Sequence, residues 1–254
     1  MLAEERRAIL QDKLRETGYI QITDVAKEFD ISSATIRRDL IAMEKEGICI
    51  RKRGGAVKST QGVTLEIPYE IKRHQNTAEK MRIAQAALDL IKNGDTILLD
   101  AGSTTYALTL LLHEKKNLTV VTHDLNIAVK LAANPNINLI CTGGVTRANV
   151  FTLQGSQVVD FIRELKVDKS FIGADTIHDD GIIGNVNIEE VPIKQAMIAA
   201  AEKVVLLADA TKFGKTGFAK VAHINDIDVL ITDNKATKEK LSCCETLDVE
   251  VIVA

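Results

Sequence analysis

Apolar positions in the N-terminal stretch recur every three to four residues, in three blocks. Ile9, Leu10 and Leu14 predict a helix from Glu4 to about Thr17, with Gly18 as its stop. Tyr19-Ile20-Gln21 is short and β-prone, and Val25, Ala26 and Phe29 then share one side of a second helix over Ile22 to Phe29. After a turn at Asp30-Ile31, Ile36, Leu40 and Met43 form the apolar stripe of a third helix. It runs from Ser33 to about Glu46, with Ser32 placed as its N-cap and Gly47 as its stop. The period next shortens to two, with apolar and basic residues alternating in Ile48-Cys49-Ile50-Arg51-Lys52-Arg53. Gly54-Gly55 turns the chain and Ala56-Val57 returns it, which predicts a β-hairpin. Residues 1–57 therefore read as one small domain.

Residues 58–75 hold Ser59-Thr60-Gln61-Gly62 and Pro68 and sustain no period, so they read as a connector. The second domain, 76–254, opens with a helix from about Thr77 to Ile91. Its stripe is Met81, Ala84, Leu88 and Ile91, and Asn93-Gly94 stops it. Seven short apolar runs follow: Thr96 to Leu99, Leu118 to Val121, Asn138 to Cys141, Ser170 to Ile172, Val204 to Ala208, Val229 to Thr232 and Val249 to Val253. Runs apolar on both faces with helical stretches between them predict an α/β domain around a mostly parallel sheet.

Charge sharpens the division. Residues 1–58 carry 12 Lys and Arg against 10 Asp and Glu, whereas residues 59–254 carry 20 against 25. A small local excess of this kind binds a polyanion only through focused patches, and two are present, Arg37-Arg38 and Arg51-Lys52-Arg53. On the third helix Arg38 points directly away from the apolar stripe, with Thr35 and Arg37 at its shoulders and Ser33 in the first turn. A face of hydroxyls and guanidiniums suits a DNA groove. Asp39 lies nearer the core, where it orients an arginine or caps an element. The hairpin beside the helix would be a wing that sets Arg51 and Arg53 on backbone phosphates or in an adjacent minor groove.

The four cysteines, Cys49, Cys141, Cys243 and Cys244, have neither the C-x-x-C spacing nor the partnering histidines of a zinc site. Buried, reduced thiols are expected, and no metal or other cofactor. The charged first residues and the lack of a long apolar run predict a cytoplasmic protein that does not enter a membrane.

Polar residues in the second domain concentrate where the apolar runs end. Asp100, Thr122, Thr142, Asp175 and Asp209 each stand at the carboxyl end of a run, the edge at which open parallel sheets bind ligands. Asp100 opens the loop Gly102-Ser103-Thr104-Thr105, whose glycine and hydroxyls suit a phosphate or a sugar oxygen, although helix capping by Ser103 or Thr104 explains it nearly as well. Gly143-Gly144 offers a second small-residue loop. Lys194 and Lys212 can each reach the same rim as a point charge for phosphate, and His123 either binds ligand or caps the next helix.

Two sets of motifs carry a family resemblance. Ser33-x-x-Ile36-Arg37-Arg38-Asp39-Leu40, with Thr35 inside it, and Arg53-Gly54-Gly55-Ala56 resemble the winged helix-turn-helix of the DeoR family of bacterial transcriptional regulators. Asp100-x-Gly102-Ser103-Thr104-Thr105, Thr142-Gly143-Gly144, Gly155, Phe171-Ile172-Gly173-Ala174-Asp175 and Asp209-x-Thr211-Lys212-Phe213-Gly214 resemble the family's sensor domain, itself similar in fold to ribose-5-phosphate isomerase. The resemblance implies that Thr35, Arg37 and Arg38 meet DNA and that a phosphorylated sugar or sugar derivative relieves repression. The chain departs from the family pattern at His123, where asparagine is common, and at Thr176, where glycine is.

The expected protein is thus a repressor of carbohydrate genes, not an enzyme. It would bind a double-stranded DNA operator as a homodimer or homotetramer and release it to a sugar phosphate, with residues 58–93 as the route between the two events. The competing reading is a sugar-phosphate isomerase with an accessory DNA-binding module, using Asp100, Asp175 and Asp209 for acid-base chemistry.

Overall fold

The computed structural model describes residues 2–46, 48–58, 69–147, 150–244 and 248–254. The chain divides into two compact units, Met1–Gln75 and Asn76–Ala254.

In the first unit the three helices are α1 (Ala3–Thr17), α2 (Ile22–Glu28) and α3 (Ser33–Lys45), with strand β1 (Tyr19–Gln21) between α1 and α2. Gly18 ends α1 in the left-handed region at φ 78°, and its amide reaches back to the Leu14 carbonyl. Strands β2 (Cys49–Lys52) and β3 (Gly55–Lys58) form the hairpin, and the sheet order β1-β3-β2 leaves β2 on an edge. Leu10, Leu14, Ile20, Val25, Ile36, Leu40 and Met43 make one core, as the helical spacing predicts; Ile9 instead lies on the open side of α1. A Cβ at Gly55 would stand 2.1 Å from the Ile20 carbonyl oxygen, so only glycine lets β3 lie against β1. The expected stop at Gly47 and the expected connector residues 59–68 lie outside the described residues. The rest of that connector is not structureless, since Tyr69–His74 form helix α4.

The second unit begins with α5 (Thr77–Asp89), β4 (Thr96–Leu99), α6 (Ser103–Thr109), β5 (Leu118–Thr122), α7 (Leu125–Leu131) and β6 (Ile137–Cys141). A two-residue hairpin, β7 (Val145–Thr146) with β8 (Leu153–Gln154), precedes α8 (Ser156–Arg163) and β9 (Val167–Gly173). Then come β10 (Thr176–Ile177), β11 (Ile182–Asn185), α9 (Val191–Ala200), β12 (Ala201–Leu207), β13 (Ala219–His223), β14 (Val229–Thr232), α10 (Lys238–Leu241) and β15 (Glu250–Val253).

The seven expected strands form one sheet in the order β15-β14-β12-β9-β4-β5-β6, with every neighbour parallel. Alternation along each strand separates two cores. Ile97, Leu99, Phe171, Val205 and Ile231 face Ile83, Leu88, Leu108 and Ile127 of α5, α6 and α7. Leu98, Ile172, Leu206 and Leu230 face Val158, Ile162, Ile193 and Met197 of α8 and α9. The fold class is therefore a winged helix-turn-helix followed by a parallel-sheet α/β domain.

Three expectations need correction. Met81 is exposed and Lys80 buried, because the stripe of α5 centres on Ile83 and Ala87. Met81, two residues from Ile83, is turned away from it by about 200°. A second sheet, β10-β11-β13, is antiparallel and was not expected. The thiols are all free, but Cys141 is exposed at the end of edge strand β6 and Cys243 is half-buried. No helix among the described residues is long and apolar enough to cross a membrane.

Candidate functional site

In the first unit, α3 buries Ile36, Leu40 and Met43 and leaves Arg37 and Arg38 exposed, while Ser33 and Thr35 are half-buried in its first turn. Ser32 is the N-cap: its Oγ accepts from the Thr35 amide at 3.2 Å and lies 3.0 Å from the Thr35 hydroxyl. Asp39 is buried against α1, accepting from Arg6 Nε at 2.5 Å and Nη2 at 3.1 Å. The arginine it orients is therefore Arg6, not one of its neighbours on α3.

On the hairpin, Arg53 is exposed at the turn and Lys52 half-buried. Arg51 lies where the alternation places it, but its side chain turns back to α3: Nε donates to Glu44 Oε2 at 2.6 Å. Basic side chains thus occupy both the helix face and the hairpin tip, as a DNA-binding surface requires.

The order in which strands are added to the sheet of the second unit reverses at its middle. β4, β5 and β6 succeed one another to one side, and β9, β12, β14 and β15 to the other. The crevice at the carboxyl ends of β4 and β9 is therefore the topological switch point, where open α/β sheets bind ligands. Asp100 follows β4 and is 1% exposed. Its Oδ2 accepts from the Gly173 amide at the end of β9, at 2.8 Å, and from Lys194 Nζ of α9, which also donates to the Gly173 carbonyl at 3.0 Å. His123, just past β5, brings Nε2 to 3.6 Å from Asp100 Oδ1, too far for a hydrogen bond. Asp100 Oδ1 and His123 Nδ1 are both buried with no hydrogen-bond partner among the described residues.

The helix after β5 is capped by Asp124, not by His123, since Asp124 Oδ1 accepts from the Asn126 and Ile127 amides. Burial holds the His123 imidazole below its ordinary value, against the opposing charge of Asp100, and so favours its neutral form. Burial also opposes the Lys194 ammonium, but Asp100, then Glu190 and Asp175, outweigh it and hold its pKa above the ordinary lysine value. Burial raises Asp124 to about 6.

The remaining expected site residues lie along the same edge with less direct connections. Gly102 precedes α6 at φ 150°, and the Thr105 hydroxyl donates back to its carbonyl at 2.8 Å, a local capping bond. Thr104 is buried and Ser103 half-buried. Asp175 Oδ2 accepts from the Val186 amide. Asp209, after β12, accepts from the Thr211 amide and hydroxyl and from Asn76 at 3.4 Å. Burial would raise its pKa, yet Thr211, then Lys212 and Lys80, hold it below the ordinary value. Asp209 thus joins Lys212, Lys80 and Asn76 in a cluster at the start of α5. Gly143 and Gly144 follow edge strand β6, away from the switch point. Gly144 serves packing, because a Cβ there would stand 2.6 Å from Val158 Cγ2 and 2.8 Å from the Gln154 carbonyl oxygen.

Sequence reasoning missed Asp124, Glu190 and Arg147. Glu190 accepts from Asn185 Nδ2 at 2.9 Å and from Arg147 Nη1 at 3.4 Å, and its charge acts on both His123 and Lys194. Only Asp124 left a signal, a carboxylate directly before a helical run.

Comparison with known families assigns both units. The DeoR C-terminal sensor domain matches residues 75–234 and the DeoR-like helix-turn-helix domain matches residues 6–61. The chain belongs to the DeoR family. DeoR-family relatives span nearly all of it. The HTH-type transcriptional regulator GolR of Listeria innocua serovar 6a is 36% identical over 94% of this chain and 93% of its own length. A putative aga operon transcriptional repressor of Escherichia coli O157:H7 is 30% identical over 98% and 93%. The glycerol-3-phosphate regulon repressor of Escherichia coli K12 is 30% identical over 92% of each chain. Among solved structures, ribose 5-phosphate isomerase A of Methanocaldococcus jannaschii covers 54% of this chain and 55% of its own at 18% identity, with a TM-score of 0.40. This DeoR-family chain is a DNA-binding transcriptional regulator and not an enzyme.

Proposed function

We propose that this protein represses genes of carbohydrate use and leaves its operator when a phosphorylated sugar or sugar derivative occupies the crevice between β4 and β9. The observation that carries this reading is the pair of buried, unpartnered atoms there, Asp100 Oδ1 and His123 Nδ1, beside an ammonium that stays charged. A buried acceptor without a donor is costly, and a sugar hydroxyl would satisfy it. His123 is on the binding side of its two alternatives, since Asp124 does the capping. Gly102 to Thr105, Asp175 and Lys194 stand on the same edge as this pair, with Lys212 and the Gly143-Gly144 loop further along it. The relatives named for the glycerol-3-phosphate regulon and the aga operon favour an effector of this class.

On the DNA side, α3 enters the major groove, Arg37 and Arg38 reach base edges or flanking phosphates, and Ser33 and Thr35 contact the backbone. Lys52 and Arg53 hold the wing on phosphates. A symmetric operator would be met by a homodimer or homotetramer.

Thermal unfolding of the purified protein with a panel of phosphorylated and unphosphorylated sugars tests the effector. A ligand at a hundred times its dissociation constant adds about 2.7 kcal/mol. The ligand that stabilises the protein should also release an operator duplex, because only differential affinity for the two states shifts the equilibrium. A panel in which no phosphorylated sugar does either overturns the proposal.

A further inference from the structure

A recognition helix that carries carboxylates repels the duplex it must enter, and α3 with its C-cap carries three, Asp39, Glu44 and Glu46. Each is met by an arginine of the same unit: Asp39 by Arg6, Glu46 by Arg7 at 3.3 Å, and Glu44 by Arg51. The first two arginines come from α1. The third comes from the wing, so Glu44 is the acid that ties the recognition helix to the hairpin.

The Glu44 contact is double. Oε2 accepts from Arg51 Nε at 2.6 Å, and Oε1 accepts from the Arg51 backbone amide at 2.9 Å. β2 is the edge strand of its sheet, and Arg51 pairs with Ala56 of β3 on one side only. Glu44 takes the outward amide that has no strand to pair with. The two side chains are 42% and 35% exposed, and an ion pair that open adds little to stability. What the two bonds do fix is geometry. One carboxylate holding both the backbone and the side chain of one residue sets where the strand lies along the helix.

We propose that Glu44 is a positioning residue for operator recognition: through Arg51 it sets the wing against α3, and Arg51 serves this joint instead of a DNA phosphate. This revises the role expected of Arg51 from the alternation of the hairpin, and leaves Lys52 and Arg53 as the phosphate contacts of the wing. It rests on α3 and the wing being the elements that touch DNA, which Arg38→Ala tests separately in the same experiment.

The experiment measures binding of the full chain to an operator duplex and to a random duplex over a salt series, for Glu44→Ala, Glu44→Gln, Arg51→Ala, the Glu44→Ala/Arg51→Ala pair, Arg53→Ala and Arg38→Ala. Arg53→Ala should weaken both duplexes alike and flatten the dependence of log K on log salt by about 0.9. Glu44→Ala and Arg51→Ala should each cut the operator-to-random ratio by about fivefold with the slope unchanged, and the double variant should be no worse than either single one. Glu44→Gln, which keeps an acceptor for the amide, should recover part of the ratio. A slope flattened by Arg51→Ala as much as by Arg53→Ala, or an unchanged ratio in Glu44→Ala, overturns the proposal. Tighter random binding by Glu44→Ala does so too, since it would make Glu44 a mere competitor of phosphate. If Arg38→Ala also leaves both duplexes unaffected, the assignment of the DNA surface fails instead.

Discussion

Arg37, Arg38 and Arg53 stand exposed on the first unit, whereas Lys194 of the second is 4% exposed and held between Asp100 and the Gly173 carbonyl. Cations of the first kind are already solvated and lose little when a polyanion replaces water and counterions, so their contribution falls with salt. A cation of the second kind exists only because its counter-charge is buried with it, and salt barely reaches it. Under the proposed function, one unit recognises a long polymer by its field and the other a small molecule by satisfying a few buried atoms. The two halves of a ligand-controlled DNA binder need these opposite treatments of charge.

The sharpest way to break the contrast is to remove one cation of each kind. Lys194→Met leaves the Asp100 carboxylate buried without its partner and should cost about 3–5 kcal/mol in urea unfolding, while Arg37→Met should stay within about 0.5 kcal/mol. Equal effects would mean that the Lys194 pair is not an uncompensated charge in waiting. Asp124 gives a pH test of the buried unit. Its pKa is raised from 3.8 to about 6, so between those values the folded state holds a proton that the unfolded state has released. The stability this contributes is full below pH 3.8, declines as pH rises and is gone above pH 6. Relative to the wild type, Asp124→Asn, which keeps an N-cap, should therefore gain about 3 kcal/mol across that window. Parallel pH profiles for the two proteins would exclude a raised Asp124.

Effects on the exposed unit should be smaller and should appear in binding. Arg38→Ala should weaken operator binding by about 1–3 kcal/mol and relax selectivity, without altering the unfolding midpoint. Unchanged affinity in a competition assay would remove Arg38 from the DNA surface. The smallest change is Ser32→Ala, which deletes the acceptor of the Thr35 amide at the start of α3. It should cost about 1 kcal/mol of stability, read from the thermal unfolding of the first unit.

The seven parallel strands were legible because each is apolar on both faces, a pattern that survives without knowledge of its neighbours. The chemistry at their ends was legible for the same reason: once a strand is placed, its carboxyl end follows, and Asp100, His123 and Asp175 with it. Lys194 came from a helix start near that edge. What remained hidden depends on distant residues meeting. Arg147 meets Glu190, itself bound to Asn185 of β11, from 43 residues away, and no spacing announces it. The antiparallel sheet escaped because β10 has two residues and β11 contains a glycine, too little for a period. On α5, a stripe drawn through Met81 and Ala84 is as regular as the real one through Lys80 and Ala84; only the packing of Ile83 chooses between them. Arg51 fell on the expected face of the hairpin, yet its partner sits on another element, which alternation along a strand cannot report.

The strand order also dictates an order of events during synthesis. β4 is central in the sheet, yet one of its neighbours, β9, is made much later, since Ile97 pairs with Lys169. The sheet and core described for the winged helix-turn-helix are drawn from residues 10–58, so it can be complete as soon as it emerges from the ribosome, whereas β4 must wait, its apolar faces uncovered, until the chain has passed α8. For that interval a nascent polypeptide has a finished DNA-binding unit and no sensor. Shielding of the unfinished sheet by chaperones would therefore fall on residues 96–173, and truncation anywhere before β9 should yield an aggregating product rather than an effector-blind repressor.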